Sequence, residues 1–273
     1  MAAEGNPRLL HAALPMYDWP ETACAWDALW AAIRAELARA GIDAARELRR
    51  DDDPHAGWLS PDLVVGHTCG WPYLWMLRDQ VTPFARFDFD IATARAGDYH
   101  SVFVMRADRA LTAAGPRDLA ALVARPETIV AINSTLSQSG YRALGECFTS
   151  AFTIPHARAL ITGSHRESVR AIAEGRADIA AVDAVSWRLA RGYDAAAAQL
   201  TVVTRSADAP GLPLIIANGL ARHREAVWRA VVEGVARAPR EVRSNLGLRG
   251  VVPASDADYA VLLAPPYGNL QVG

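Results

Sequence analysis

The sequence contains no lysine: all 28 of its basic side chains are arginine. A Schiff-base lysine for pyridoxal phosphate and the phosphate-gripping lysine of a Walker-type loop are both excluded. Cysteine is scarce. Cys24, Cys69 and Cys147 are far apart and odd in number, with neither metal-ligand nor redox spacing. Cys24 and Cys147 fall inside helical patterns and read as small buried hydrophobes. Long apolar runs are missing too, since none approaches the roughly 18 residues of a membrane span. The opening stretch, MAAEGNPRLLHAALPMYD, has no basic segment followed by an apolar core. As written, the chain reads as soluble and unexported unless a leader has been removed. H-E-x-x-H, C-x-x-C, close histidine pairs and a dinucleotide-binding glycine fingerprint are absent, as is any basic stripe with interleaved aromatics. No metal, no cofactor and no nucleic-acid partner are expected.

What is present is a chain of 273 residues, 51% hydrophobic and 21% charged, with a formal net charge of −2. That length supports two medium domains with ample core. Strand and helix patterns alternate along it. LLHAALPMY reads as a strand, followed by a helix over residues 18–41 with Trp26, Leu29, Trp30, Ile33 and Leu37 on one face. Asp18 and Glu21 resemble a capping box for that helix. AARELRR, PDLVVGHT, Phe84–Phe89 and YHSVFVMRA are further strand candidates. From Leu111 a second set begins: DLAALVA as helix, TIVAIN as strand, and SGYRALGECFTSAF as helix. ARALITG, the capped helix SHRESVRAIAEGRAD, the strand DIAAVD and the helix AVSWRLARG follow. LTVVTRS and LPLIIAN are strands, and Arg224–Ala238 is a last helix. Such alternation predicts parallel α/β sheets. There are too many units for one sheet, so two lobes are expected: residues 1–105 with 206–273, and residues 106–205. The chain then crosses between lobes twice.

In open α/β sheets ligands bind beyond the carboxyl ends of strands. Five junctions there carry suggestive residues: MYD, HTCGWPY, NSTLSQSGY, TGSH and VDAVSW. In the third, Ser137, Gln138 and Ser139 precede Gly140 at an expected helix start. Free amides, the helix dipole and hydroxyl donors there suit an anion, and glycine leaves room for close approach. Serine at a helix start is also an ordinary cap. Asp183 reads first as a cap for AVSWRLA and second as a ligand acceptor. Tyr17, Trp71 and Tyr99 lie at strand ends or just before a strand and read first as core or rim. Ser139, His165 and Asp183 can be drawn as a triad, but SQSGY is not a G-x-S-x-G elbow and His165 reads as the first turn of a capped helix.

Several stretches together resemble the phosphate/phosphite/phosphonate-binding proteins of ABC transporters, the PhnD-like group of type 2 periplasmic binding proteins. They are GDYHSVFVMRAD, SQSGY, ITGSHRESVRAIAEGRADIAAVDAVSW and PDLVVGHTCGWPY, in the order that family shows, and the match spans about residues 10–240. The resemblance implies an α/β, two-lobe type 2 fold with two hinge crossings and a ligand cleft between lobes. It implies a non-enzymatic solute-binding protein that captures a small anionic, phosphorus-containing ligand by hinge closure and delivers it to ABC permease subunits. Such a protein is periplasmic and monomeric. Carried over residue by residue, Ser137, Gln138, Ser139 and the Gly140 amide hold the anionic head, and Tyr99 lies on the ligand from the hinge side. Asp183 accepts from the rest of the ligand, while Tyr17 and Trp71 form the wall from the first lobe. Gln138 stands where the family has threonine, which changes a hydroxyl into an amide. A cytoplasmic sensor or an enzyme on the same fold is the alternative.

Overall fold

The computed structural model describes residues 9–110, 116–147 and 158–263. Its contacts divide the chain into two compact units, Met1–Asp90 with Gly211–Asp258, and Ile91–Pro210 with Tyr259–Gly273. The crossings therefore fall at Asp90/Ile91 and Pro210/Gly211, with a further return at Tyr259, against the expected 105/106 and 205/206.

The first unit is built on strands β1 (His11–Ala13), β2 (Leu63–His67), β3 (Val81–Phe89), β11 (Pro213–Ala217) and β12 (Leu248–Pro253), numbered in chain order. They form one sheet in the order β1-β2-β11-β3-β12. The helix Ala23–Arg39 buries Trp26, Leu29, Trp30, Ile33 and Leu37, the face that its periodicity marks out. A second helix, Arg224–Arg237, packs on it so closely that a Cβ at Gly234 would lie 2.6 Å from the Ile33 Cα. Only glycine permits that approach. Arg237 also reaches across to Glu36 at 3.3 Å.

The second unit holds β4 (Asp98–Tyr99), β5 (Ser101–Arg106), β6 (Val130–Ile132), β7 (Ala159–Ile161), β8 (Ile179–Asp183), β9 (Leu200–Arg205) and β10 (Ala209–Pro210). Five of them form a sheet in the order β7-β6-β8-β5-β9, and β4 pairs with β10 as a separate antiparallel ribbon. Phe103, Met105, Leu119, Leu122, Val130, Ile132, Tyr141, Leu144 and Ile179 belong to its core.

Both sheets are mixed, not parallel as the alternation predicts. β1 runs parallel to β2, and β6 parallel to β7 and β8; the pairings of β11, β12, β5 and β9 are antiparallel. A βαβ crossover within one sheet enforces a parallel pair. β5 and β11 each enter their sheet after the chain has come from the other unit, so that constraint does not act on them.

Local differences have local causes. The AARELRR stretch holds only an isolated bridge between Ala44 and Leu10. The helix starts after Thr22 rather than Asp18, and Asp18 is drawn instead to Arg50, with 2.7 Å from Nε to Oδ2. Cys24 is exposed, not buried, because it lies away from the tryptophan-bearing face of its helix. The helix expected from Gly140 is, as far as it is described, a 3-10 segment, Arg142–Cys147. The remainder of that helix, with Phe148 and Phe152, and the Cys147 side chain lie outside the described residues.

Candidate functional site

Geometry first gathers residues in the second unit. β6, β7 and β8 are parallel neighbours, so their carboxyl ends share one edge of the sheet. The serine loop leaves β6 there, His165 follows β7, and Asp183 closes β8. β5 is antiparallel to β8 with Ser101 opposite Asp183, which brings the start of β5, and Tyr99 just before it, to the same edge. Tyr99 itself is buried and paired with Ala209.

The loop is tightly wound. Ser137 donates its amide to the Ser134 carbonyl at 3.0 Å, and its own carbonyl accepts from the amides of Tyr141 and Arg142 at 3.3 and 3.1 Å. Ser137, Gln138 and Ser139 are all buried. Ser139 Oγ lies 2.8 Å from His165 Nε2. Burial pushes the His165 pKa down to about 4, so the ring is neutral near physiological pH. Sequence reasoning could draw His165 into a triad with Ser139 and Asp183 but read it as the first turn of a capped helix, and it is that as well: Ser164 Oγ accepts from the Glu167 amide at 3.1 Å.

Gly140 closes the turn of the loop. Its amide is donated to Ser137 Oγ at 2.9 Å. A Cβ on it would collide with Asn133 Oδ1 and come within 3.1 Å of His165 Cε1. Glycine is demanded here by protein atoms packed against the loop.

Asp183 acts as a helix cap: Oδ1 accepts from the amides of Val185 and Ser186 at 2.7 and 3.0 Å. No hydrogen-bond partner reaches His165 Nδ1 among the described residues. Ser139 and His165 are thus a pair without the carboxylate that would orient a catalytic histidine. Among the described residues no group of three or more His, Cys, Asp or Glu side chains could hold a metal ion. No helix among them is long and apolar enough to cross a membrane.

Tyr17 and Trp71 follow the carboxyl ends of β1 and β2, a parallel pair, and so share an edge of the first unit's sheet. Tyr17 is the one non-glycine with positive φ, +65°, among the described residues. That conformation costs roughly 1–3 kcal/mol. Its carbonyl is held by Thr22 Oγ1 at 2.8 Å and Trp26 Nε1 at 3.0 Å. Trp71 lies within the short helical turn Gly70–Pro72 and meets Trp75 at 5.1 Å between ring centroids. Sequence reasoning missed His67, the fully buried last residue of β2. Its ring lies 5.8 Å from that of Tyr17 and 5.3 Å from that of Phe87.

Two α/β units with candidate ligand residues at the carboxyl edge of each sheet define a solute-binding protein of the type 2 periplasmic class. Solved structures share that fold. A binding protein component of an ABC phosphonate transporter from Pseudomonas aeruginosa matches with a TM-score of 0.69 at 16% identity, covering 93% of this chain and 84% of its own. PhnD1 from Prochlorococcus marinus, in complex with methylphosphonate, matches with a TM-score of 0.72 at 14% identity, covering 94% and 96%. A histidine kinase sensor domain with similarity to periplasmic binding proteins matches with 0.56 at 15%, covering 89% and 98%. No curated protein matches the sequence. The particular family follows from the sequence itself. Residues 12–259 match the phosphonate-binding family, the periplasmic substrate-binding proteins of phosphonate ABC transporters, and the chain belongs to that family.

Proposed function

We propose that this chain captures a small phosphate- or phosphonate-like anion and hands it to an ABC permease, working in the periplasm as a monomer and without covalent chemistry. The observation that carries this is the serine loop: Ser137, Gln138 and Ser139, buried and wound at the carboxyl edge of the second sheet, with Ser139 hydrogen-bonded to a neutral His165. In this reading Ser137, Gln138 and Ser139 hold the anionic head. Gly140 joins them only if its amide exchanges Ser137 for the ligand. Tyr99 and Asp183 contact the ligand from the same edge, and Tyr17 and Trp71 supply the wall from the first unit. Hinge closure follows if ligand contacts from both units exist only in the closed form, since differential affinity is what shifts a population.

The test is titration calorimetry on protein unfolded, freed of ligand and refolded. Phosphate, phosphite, methylphosphonate, aminoethylphosphonate and sulfate form the panel. Micromolar or tighter binding of one of them, weakened by about 1–3 kcal/mol in Ser139→Ala, is the expected result. No heat from any of them overturns the ligand class.

A further inference from the structure

Residues 91–98 follow the first crossing, and residues 205–210 lead to the second. Little sheet structure joins these two stretches. β4 and β10 are two residues each, with Tyr99 opposite Ala209 and Asp98 opposite Pro210, and proline has no N–H to give to a ladder. So short a ribbon is marginal in water without other support. That support comes from two side chains ahead of β10. Asp208 Oδ2 accepts from the Ala94 amide at 2.7 Å, and Arg205 Nη1 donates to the Ala92 carbonyl at 3.0 Å. The two side chains also meet each other, with 3.1 Å from Arg205 Nη1 to Asp208 Oδ1. His100 joins the group, its Nδ1 3.2 Å from the same arginine nitrogen. Beyond Tyr99 in the chain, the Ser101 amide donates to Ser206 Oγ at 2.9 Å, and the Ser206 amide donates to the Ser101 carbonyl at 2.8 Å. Tyr99 therefore lies between two anchorages, and both come from residues 205–208.

We infer that Arg205 and Asp208 are positioning residues for ligand capture, a clasp that fixes residues 92–94 and through them Tyr99 without touching the ligand. This rests on the reading of Tyr99 as a ligand contact and deepens it. An exposed ion pair by itself contributes little. Asp208 is more than that, because its side chain is only 15% exposed and its carboxylate takes a backbone amide as well as the guanidinium. Charge-assisted bonds of this kind are the strong ones, and here they end on main-chain atoms, so they set the path of the segment. A segment held before the ligand arrives needs no ordering on binding. A loose one must be ordered as the ligand binds, and the affinity falls accordingly. The clasp also ties the stretch after the first crossing to the stretch before the second, so the two move as one.

The experiment is calorimetric titration of the full chain with methylphosphonate and with inorganic phosphate, alongside amide hydrogen exchange. In the wild type the Ala94 amide is expected to exchange at least about 100-fold more slowly than in an unfolded chain, although it lies outside any strand. Asp208→Ala should release that amide and weaken binding of whichever probe the wild type takes, by about tenfold. Asp208→Asn keeps an acceptor oxygen for Ala94 and should recover most of the affinity. Arg205→Met should weaken binding less, since that side chain is half exposed. In the double variant with Asp208→Ala the loss should be smaller than the two single losses combined, because both act through one segment. Gly234→Ala, which loosens the first unit, should bind within about twofold of wild type and so separates lost stability from lost positioning. Wild-type affinity in Asp208→Ala, or an Ala94 amide that exchanges freely in the wild type, overturns the clasp and leaves the ligand reading standing. The wild-type exchange alone decides the matter if Asp208→Ala does not fold. No heat from either probe in the wild type overturns the ligand reading, and with it the part given to the clasp in capture.

Discussion

At the end of β2 one histidine sits among Tyr17, Trp26, Phe87 and Phe89 with no hydrogen-bond partner for either ring nitrogen among the described residues. Burial pushes the His67 pKa from its ordinary 6.5 down to about 3. The folded state therefore refuses a proton that the unfolded state accepts. Stability contributed by the neutral ring is present above about pH 6.5 and is lost as pH falls toward 3, at about 1.4 kcal/mol per unit. Urea unfolding should show His67 alone costing about 2 kcal/mol between about pH 7 and about pH 5. His67→Phe should remove that share of the acid sensitivity, while the share from His165, which has the same sign, persists. An unchanged pH dependence in His67→Phe would place the ring in contact with solvent. Nothing in PDLVVGHT distinguishes this histidine from a surface one, because its surroundings come from residues 17, 26, 87 and 89. Ser137, Gln138 and Ser139 were legible as a polar cluster. That Gln138 Oε1 has no donor among the described residues was not, since satisfaction of a buried atom depends on everything packed around it.

Among the elements, the helix Ala23–Arg39 was readable from its 3.6-residue period, and His165–Ala173 from its Ser164-x-x-Glu167 signature. Asp18 and Glu21 gave an equally good capping signature and were misleading, because Arg50, distant in sequence, competes for the Asp18 carboxylate. Packing between Arg224–Arg237 and Ala23–Arg39 turns on Gly234. Gly234→Ala should destabilise the protein by about 1–3 kcal/mol in chemical denaturation, since the Ile33 backbone cannot move aside as a side-chain tip would. Asp183 offers a cleaner division of roles. Asp183→Ala should lose about 1 kcal/mol of stability with the cap, whereas Asp183→Asn keeps a capping oxygen and most of that stability. If the carboxylate also takes a ligand donor, calorimetry on Asp183→Asn should show weakened binding at nearly wild-type stability. Wild-type affinity in that variant confines Asp183 to its cap.

For the whole molecule, the sequence by itself determined the alternation of strands and helices, the need for two sheets and the strand-end junctions where the candidate residues stand. These follow from local periodicity and from the requirement that each apolar face be covered. It also carried the family, through stretches whose order along the chain is as informative as their content. Only the tertiary structure decided where the chain leaves each unit and which strands run antiparallel. It also decided that Ser139 meets His165 while Asp183 turns to its own helix. Strand direction in a mixed sheet depends on where the chain arrives from. A hydrogen bond between residues 26 positions apart depends on two parallel strands placing their carboxyl ends side by side. Neither fact is written in any window short enough to read as a motif.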